Sequence, residues 1–403
     1  MKKKILILMP SMFVGGAERS LLGLLEAFDY SKYEIYLFLY RHEGEFLSMI
    51  PSVVHILPEM EEYGTFDVPI KSLLFGKKFL YGLLRILSKL SMKFHCLISS
   101  EKGGVWMAMQ YISKYLQILL PEIPGKYDVA ITFLGVPDVL VNKVNAKYKF
   151  AWNHTDYTVL GPCKKYDREI YNKIDYIVSV SETCRNQFLK VYPELAQKAV
   201  VLENILSTQL IQNQACENID GDRAFNCREI RVLSVGRYSY AKNFDNVPHI
   251  CRLIREKGMD IKWFLIGYGG DEKFIQQKIE EEGMEKFVIL LGKKVNPYPY
   301  IRNCDLYVQP SRYEGKAVTV REAQILNKPV VITKFATATS QLEDGVDGII
   351  VPMDNENCAE EIYRLLNNPG LMKKISENCS KKDYSNKDEL RKLYELLCPE
   401  EEA

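Results

Sequence analysis

The chain has 403 residues, 47% hydrophobic and 26% charged, with a formal net charge of +1 at pH 7. This is the composition of a soluble globular protein long enough for two domains, without the global positive field that would draw in nucleic acid. The ten cysteines run from Cys96 to Cys398 with no CxxC pair and no Cys/His cluster at metal-ligand spacing, so neither zinc nor a disulfide framework is expected, and reduced cytosolic thiols are.

The N-terminus, Met1-Lys2-Lys3-Lys4, leads into a short apolar run that meets Pro10 and Gly15-Gly16 without a small-residue cleavage site, and reads as a first buried strand rather than a signal peptide. Further apolar runs at Ile35 to Leu39, Val129 to Phe133, Phe150 to Trp152 and Ile177 to Val180 alternate with helical stretches, as parallel strands buried on both faces do. A second series follows at Val232 to Val235, Trp263 to Ile266, Val288 to Leu291, Leu306 to Val308, Val330 to Ile332 and Ile349 to Val351. The expected organisation is an α/β domain over residues 1–206, a polar linker over 207–229, a second α/β domain over 230–385, and a final helical stretch within 386–403.

Candidate ligand-binding residues sit just past the strands. Gly15-Gly16-Ala17-Glu18-Arg19 opens a helix after the first strand; glycines there let backbone N–H groups approach a phosphate or sugar oxygen, although a plain tight turn needs the same residues. Residues 68–100 contain no acidic side chain but six basic ones, Lys71, Lys77, Lys78, Arg85, Lys89 and Lys93. Leu80, Leu83, Leu84, Leu87, Leu90, Phe94 and Leu97 recur there at helical spacing, with Arg85, Lys89 and Lys93 on another face. This is the pattern of an interfacial helix on an anionic membrane surface, with a helix packed on its own sheet as the alternative. Arg85 and Lys89 interrupt the apolar run, so it does not read as a transmembrane span.

His154 follows the strand around Trp152; a lone histidine is more often structural than catalytic. Val235-Gly236-Arg237 and Lys242-Asn243 place two cations beyond a strand, suited to an anionic ligand or to a solvated surface. Ile266-Gly267-Tyr268-Gly269-Gly270 lacks the spacing and acidic partner of a dinucleotide fingerprint, and Leu291-Gly292 ends the next strand. The most informative stretch is Asp305 to Glu322, where Leu306-Tyr307-Val308 breaks at Pro310-Ser311 into a loop holding Glu314, and Glu322 follows eight positions later in a helical stretch. Ligands of open α/β sheets bind where strands end and helices begin.

This segment resembles the retaining glycosyltransferases of family 4, glycosyl transferases group 1, which have the GT-B fold: two Rossmann-like α/β domains facing each other across a cleft. The resemblance is strongest from Ile230 to Asp354. It implies that Glu322 accepts hydrogen bonds from the ribose and that Glu314 contacts the transferred sugar. Arg237 and Lys242, with Gly236 and Asn243, would hold the diphosphate. Gly15, Gly16, Gly267 and Gly292 would line the donor site, joined by the backbone of Gly315, Lys316 and Ala317, and His154, in a W-x-H element, would bind or orient the donor sugar. Lys316-Ala317 departs from the aromatic or small residues usual after that glycine, which bears on sugar selectivity. The resemblance also implies that the final helix packs back on the first domain.

The expected function is metal-independent, retaining transfer of a sugar, from UDP in preference to GDP, to a glycan acceptor in bacterial capsule, O-antigen or exopolysaccharide synthesis. The acceptor would be linked to polyprenyl diphosphate, and the enzyme peripheral at the inner face of the plasma membrane through Lys78, Arg85, Lys89 and Lys93. No cofactor is implied. A GT-B UDP-sugar 2-epimerase and a catalytically silent membrane-surface scaffold are the alternatives. Asp220-Gly221-Asp222 has the D-x-D form of a metal-binding motif but no strand before it, and Asn153-His154-Thr155 matches a glycosylation sequon that has no meaning in a cytosolic chain.

Overall fold

A computed structural model describes residues 2–99, 101–219 and 224–397. The chain forms two compact units, one running to Asn204 and resuming at Asp388, the other spanning Ile205–Lys387. The D-x-D segment Asp220-Gly221-Asp222 lies outside the described residues.

In the first unit the strands are β1 (Lys3–Met9), β2 (Tyr33–Leu39), β3 (His55–Ile56), β4 (Ile123–Thr132), β5 (Val144–Asn153), β6 (Tyr176–Ser179) and β7 (Ala199–Val201). They lie in the order β3-β2-β1-β4-β5-β6-β7, and every pairing is parallel. Parallel strands need crossover segments on both faces, which is why Ile5 to Met9 are almost wholly buried in an unbroken apolar run. The short edge strands β3 and β7, of two and three residues, are not among the strands expected from the sequence.

The second unit contains β8 (Ile230–Val235), β9 (Ile261–Ile266), β10 (Val288–Gly292), β11 (Leu306–Gln309), β12 (Val330–Thr333) and β13 (Ile349–Val351), in the order β10-β9-β8-β11-β12-β13. Again every pairing is parallel. Both sheets therefore reverse direction of strand addition at a central pair, β1/β4 and β8/β11, and a crevice opens at the carboxyl ends of such a pair. Each pair is pinned at its start by an aspartate. Asp128 accepts the Lys4 backbone N–H at 2.7 Å, and Asp305 accepts the Arg231 N–H at 2.8 Å while its carboxylate takes two guanidinium bonds at 3.1 Å each. Higher in the second core, Trp263 Nε1 donates to Ser234 Oγ at 2.9 Å and Ser234 Oγ donates to Val308 O at 2.6 Å, so the polar atoms of β8 and β9 are satisfied without water.

The polar segment 207–229 is more than a linker. It contains the helix Thr208–Gln214, capped by Ser207 Oγ on the Leu210 N–H, and it buries Ile211, Ala215 and Phe225 in the second core. Sparse apolar residues concealed this, because three well-placed ones suffice to anchor a short segment. The terminal helix Glu389–Leu397 belongs to the first unit: Tyr394 stacks on Tyr33 at 5.0 Å between ring centres and accepts the Asp29 N–H at 2.8 Å.

Candidate functional site

In the second unit the reversal at β8/β11 brings two loops together. After β8, Gly236 lies under the stem of Lys242; a Cβ at Gly236 would stand 3.1–3.3 Å from Lys242 Cε, Cδ and Cγ. The short turn Tyr240–Lys242 closes at Asn243, buried and left-handed at φ +60°, a conformation asparagine tolerates better than most residues. Lys242 Nζ then reaches Glu314 Oε1, in the loop after β11, at 2.5 Å, with the two side chains 18% and 12% exposed.

Glu314 is held from below. Ser311 Oγ donates to the same Oε1 at 2.6 Å, and Gln309 Nε2 donates to Ser311 Oγ at 2.9 Å. Gln309 Oε1 in turn accepts Tyr307 OH at 2.9 Å and Thr319 Oγ1 at 3.2 Å. The hydrogen bonds to the Glu314 carboxylate thus converge on Oε1, which orients the group and leaves Oε2 to meet a ligand. Arg312 ties the two loops together by a bidentate pair with Asp245, at 2.9 and 2.7 Å, and a bond to Tyr240 O at 2.7 Å. Arg237, beyond Gly236, is exposed, and its guanidinium makes no hydrogen bond or ion pair among the described residues. A cation so placed is available to an anion.

Gly267 and Gly292 join the ends of β8, β9 and β10. Gly267 N–H donates to Gly292 O at 3.0 Å, and a Cβ on Gly267 would come within 1.8 Å of Gly236 O, so only glycine fits. Gly292 adopts φ +68°. One expected backbone donor is already engaged: Ala317 N–H donates to Gln341 Oε1 at 2.6 Å, so it orders the loop instead of meeting a ligand. Gly315 and Lys316 lie in the same turn, before the helix Val318–Ile325. Glu322, in that helix, is fully buried and accepts Tyr298 OH at 2.8 Å. Ser311 and Thr319 could have been suspected from their closeness to Glu314 in sequence. Arg312–Asp245 and Gln341 could not, because those partners are distant along the chain.

In the first unit, Gly15 and Gly16 begin the helix Gly16–Ala27, with Glu18 folded back so closely that a Cβ on Gly15 would lie 2.2 Å from its Oε2. His154 stands past the end of β5, its ring 4.9 Å from that of Phe133, and its Nε2 donates to Phe133 O at 2.9 Å. That bond assigns the proton to Nε2 and leaves Nδ1 as an acceptor. Burial pushes its pKa down to about 4, against a smaller opposing effect of the Phe133 carbonyl. His154 is thus neutral near pH 7 and suited to accepting a hydroxyl proton in a hydrogen bond.

The basic segment forms the helices Ile70–Leu74 and Phe79–Ile98. The longer one buries only Gly82 and Ser88. Leu80, Leu83, Leu87, Leu90, Phe94 and Leu97 face outward, Leu97 at 83% exposure, and Phe75 in the preceding turn at 91%. Two of the four cations assigned to a membrane surface do not face outward freely. Arg85 donates to Thr65 O at 3.0 Å and Val68 O at 2.5 Å, and Lys78 donates to Glu61 O at 2.6 Å, because the capless loop 61–68 exposes carbonyls that these side chains satisfy. Lys89 and Lys93 are exposed, as are Lys71 and Lys77. No helix among the described residues is long and apolar enough to cross a membrane. Folding also brings together groups that no spacing along the chain marked: the ligand atoms of His95, Glu101 and Cys163 lie within 4.8 Å of one another.

Because His154 has a lower pKa folded than its unfolded value of about 6.5, the unfolded state binds the extra proton first. The stability it contributes is complete above the unfolded value and is lost as pH falls toward about 4. The raised Asp138 and Asp167 carboxyls, at about 7 and about 6 through burial, act in the opposite direction. In paired melts from pH 7 to pH 4, His154→Gln should lose less stability than the parent chain; equal losses would show that His154 is not held neutral.

The family described as Glycosyl transferases group 1 matches residues 217–382. A poly(ribitol-phosphate) alpha-N-acetylglucosaminyltransferase of Staphylococcus aureus is 26% identical over 254 residues, 61% of this chain and 49% of that protein. The N-acetylgalactosamine-N,N'-diacetylbacillosaminyl-diphospho-undecaprenol 4-alpha-N-acetylgalactosaminyltransferase of Campylobacter jejuni is 26% identical over 223 residues, 55% of this chain and 56% of its own. The matched region thus spans about half the length of these relatives. Among solved structures, S. aureus TarM in complex with fondaparinux, alpha-GlcNAc-glycerol and UDP superposes with a TM-score of 0.66 at 16% identity, covering 98% of this chain and 99% of that one. Anabaena HepE in complex with UDP gives 0.65 at 17% identity, covering 98% and 100%. The chain has the GT-B fold, and its residues 217–382 match the family described as Glycosyl transferases group 1.

Proposed function

We propose that this chain is a glycosyltransferase that moves a sugar, with retention, from a nucleoside diphosphate donor to a glycan acceptor in bacterial surface-polysaccharide synthesis. The observation that carries this reading is the oriented Lys242–Glu314 pair beside the unengaged Arg237 guanidinium, at the strand reversal of the group 1 domain. In the reaction the bond from the anomeric carbon to the β-phosphate oxygen breaks and a bond to an acceptor hydroxyl oxygen forms. The hydroxyl proton passes to the departing phosphate, so no protein nucleophile is needed. Charge grows on that phosphate as the bond breaks, and fixed cations there are worth most in the transition state. Arg237 and Lys242 supply them.

Glu314, oriented by Lys242 and Ser311, presents its other oxygen to the transferred sugar, where positive charge develops at the anomeric carbon. Glu322 is assigned to the ribose, with the Tyr298 hydroxyl as its positioning partner. Gly236, Asn243, Gly267, Gly292, Gly315 and Lys316 shape the donor loops. The first unit offers its own strand-end residues, Gly15, Gly16 and His154, to substrate. UDP is preferred as the donor nucleotide because TarM and HepE both have complexes with UDP. A polyprenyl-diphosphate-linked acceptor is suggested by the diphospho-undecaprenol in the Campylobacter jejuni relative's name. The chemistry calls on no metal.

The outward apolar face of Phe79–Ile98, with Lys71, Lys77, Lys89 and Lys93 around it, supports peripheral binding at the cytoplasmic face of an anionic membrane. Each nearby basic side chain contributes roughly 1 kcal/mol at such a surface.

Glu314→Ala should lower turnover by at least about 10²-fold with the fold intact; turnover near that of the parent chain would remove Glu314 from the reacting centre. Calorimetry should show UDP binding that is weaker in Arg237→Ala and unchanged by EDTA in the parent chain. Equal affinity in the variant contradicts the phosphate assignment, and loss of binding in EDTA contradicts metal independence. Lys89 and Lys93 changed together to Gln should reduce sedimentation with phosphatidylglycerol vesicles, and unaltered sedimentation would assign lipid binding to another surface.

A further inference from the structure

We propose that His95, Glu101 and Cys163 bind a zinc ion that fastens the outward-facing helix Phe79–Ile98 to the body of the first unit. The three come from different elements. His95 lies in the last turn of that helix, Glu101 in the connection that follows, and Cys163 is the N-cap residue of the helix Lys164–Tyr171. Their ligand atoms all lie within 4.8 Å of one another. A nitrogen, a carboxylate oxygen and a thiolate form a mixed donor set that suits zinc, which has no geometric preference of its own and takes four ligands tetrahedrally. The fourth position would be a water.

Seating the ion requires the three ligand atoms, all within 4.8 Å of one another, to adjust. Zinc bonds of about 2.0–2.3 Å place tetrahedral ligand atoms roughly 3.3–3.6 Å apart. His95 Nε2 and Glu101 Oε2 are 2.9 Å apart, so seating the ion opens that pair by about half an ångström. Binding exchanges the thiol proton of Cys163 for the metal and releases that proton to solvent. The surroundings hold the ligands in place. The Cys163 N–H donates to Gln110 Oε1 at 2.8 Å, and Gln110 Nε2 is hydrogen-bonded to the buried Asp167, which also accepts Tyr157 OH at 2.6 Å and Tyr192 OH at 2.8 Å. Second partners of this kind orient metal ligands.

The mechanical reason for the ion lies in the helix itself. With only Gly82 and Ser88 fully buried, Phe79–Ile98 is held by the partly buried Tyr81 and Leu84 and by a few polar contacts: Arg85, Tyr81 OH on Leu119 O at 3.0 Å, Ser91 with Tyr115 OH at 2.5 Å, and the His95–Glu101 pair at its end. A metal shared with Cys163 converts the last of these into a crosslink between His95 and a residue 68 positions further along the chain, of a kind that stabilises the folded state directly.

The test uses the full chain, expressed without chelator, with Co²⁺ and Zn²⁺ alone as probes. One Co²⁺ per chain should bind and give a thiolate-to-cobalt charge-transfer band, and Zn²⁺ should displace it. Cys163→Ser should abolish the band, and His95→Gln and Glu101→Gln should each weaken Zn²⁺ binding by at least the roughly 10–100-fold that loss of an outer partner costs. Cys96→Ser, a neighbouring thiol change, should leave both intact. No band, a band that survives Cys163→Ser or vanishes in Cys96→Ser, or Zn²⁺ affinity unmoved in His95→Gln overturns the site. If Cys163→Ser fails to fold, the His95 and Glu101 variants decide it. UDP affinity, read in the same samples, should not change, which separates this site from the donor loops.

Discussion

The structure depends on one topological constraint met twice. A parallel sheet whose strands are added first on one side of a central strand and then on the other must send its crossovers to opposite faces. Where they diverge, at the carboxyl ends of β1/β4 and β8/β11, no crossover covers the strand ends. The aspartates that pin the starts of these pairs, Asp128 and Asp305, fix the register there and so the positions of the loops that leave the other end. Lys242, Glu314 and Arg237 owe their juxtaposition to this reversal, although Lys242 and Glu314 are 72 residues apart in sequence.

Within the second unit, rigidity passes from core to loop through hydrogen bonds rather than apolar packing. Tyr307, Gln309 and Ser311 form a relay from a buried strand to the Glu314 carboxylate, and each member is satisfied by the next. A half-satisfied relay would be worse than none, since a buried polar group without a partner costs more than a neutral hydrogen bond contributes. The loop is fastened on its other side by Thr337 on Glu314 O at 2.9 Å and by the paired bonds of Gln341 to Ala317. The loop that would carry the chemistry is thus braced on both sides, which fits a site that works by electrostatic preorganisation.

The first unit distributes polarity differently. Its helix Phe79–Ile98 turns most of its leucines outward and its arginine inward, while Leu84 packs on the core. The amphipathic period was visible in the sequence, and so was the lack of acidic residues. Which face would meet the protein was not, because period alone identifies two faces without ranking them. In the folded chain the face carrying Arg85 is the one turned inward, where Arg85 donates to the carbonyls of Thr65 and Val68.

The sequence by itself determined the two parallel α/β units and eleven of the strands, because strands buried on both faces must be continuously apolar and this signal is local. It also marked the residues past the strand ends, since glycines and charges there stand out against apolar runs. It missed the two-residue β3, the three-residue β7 and the helix Thr208–Gln214, whose burial rests on few side chains. Tertiary structure decided which of the marked residues meet. It joined Lys242 to Glu314, took the Ala317 N–H for Gln341, turned Arg85 inward, and gathered His95, Glu101 and Cys163 into one cluster. The physical reason is range: hydrophobic periodicity is written over a few residues, whereas a hydrogen bond or an ion pair between distant residues exists only once the chain has closed the loop between them.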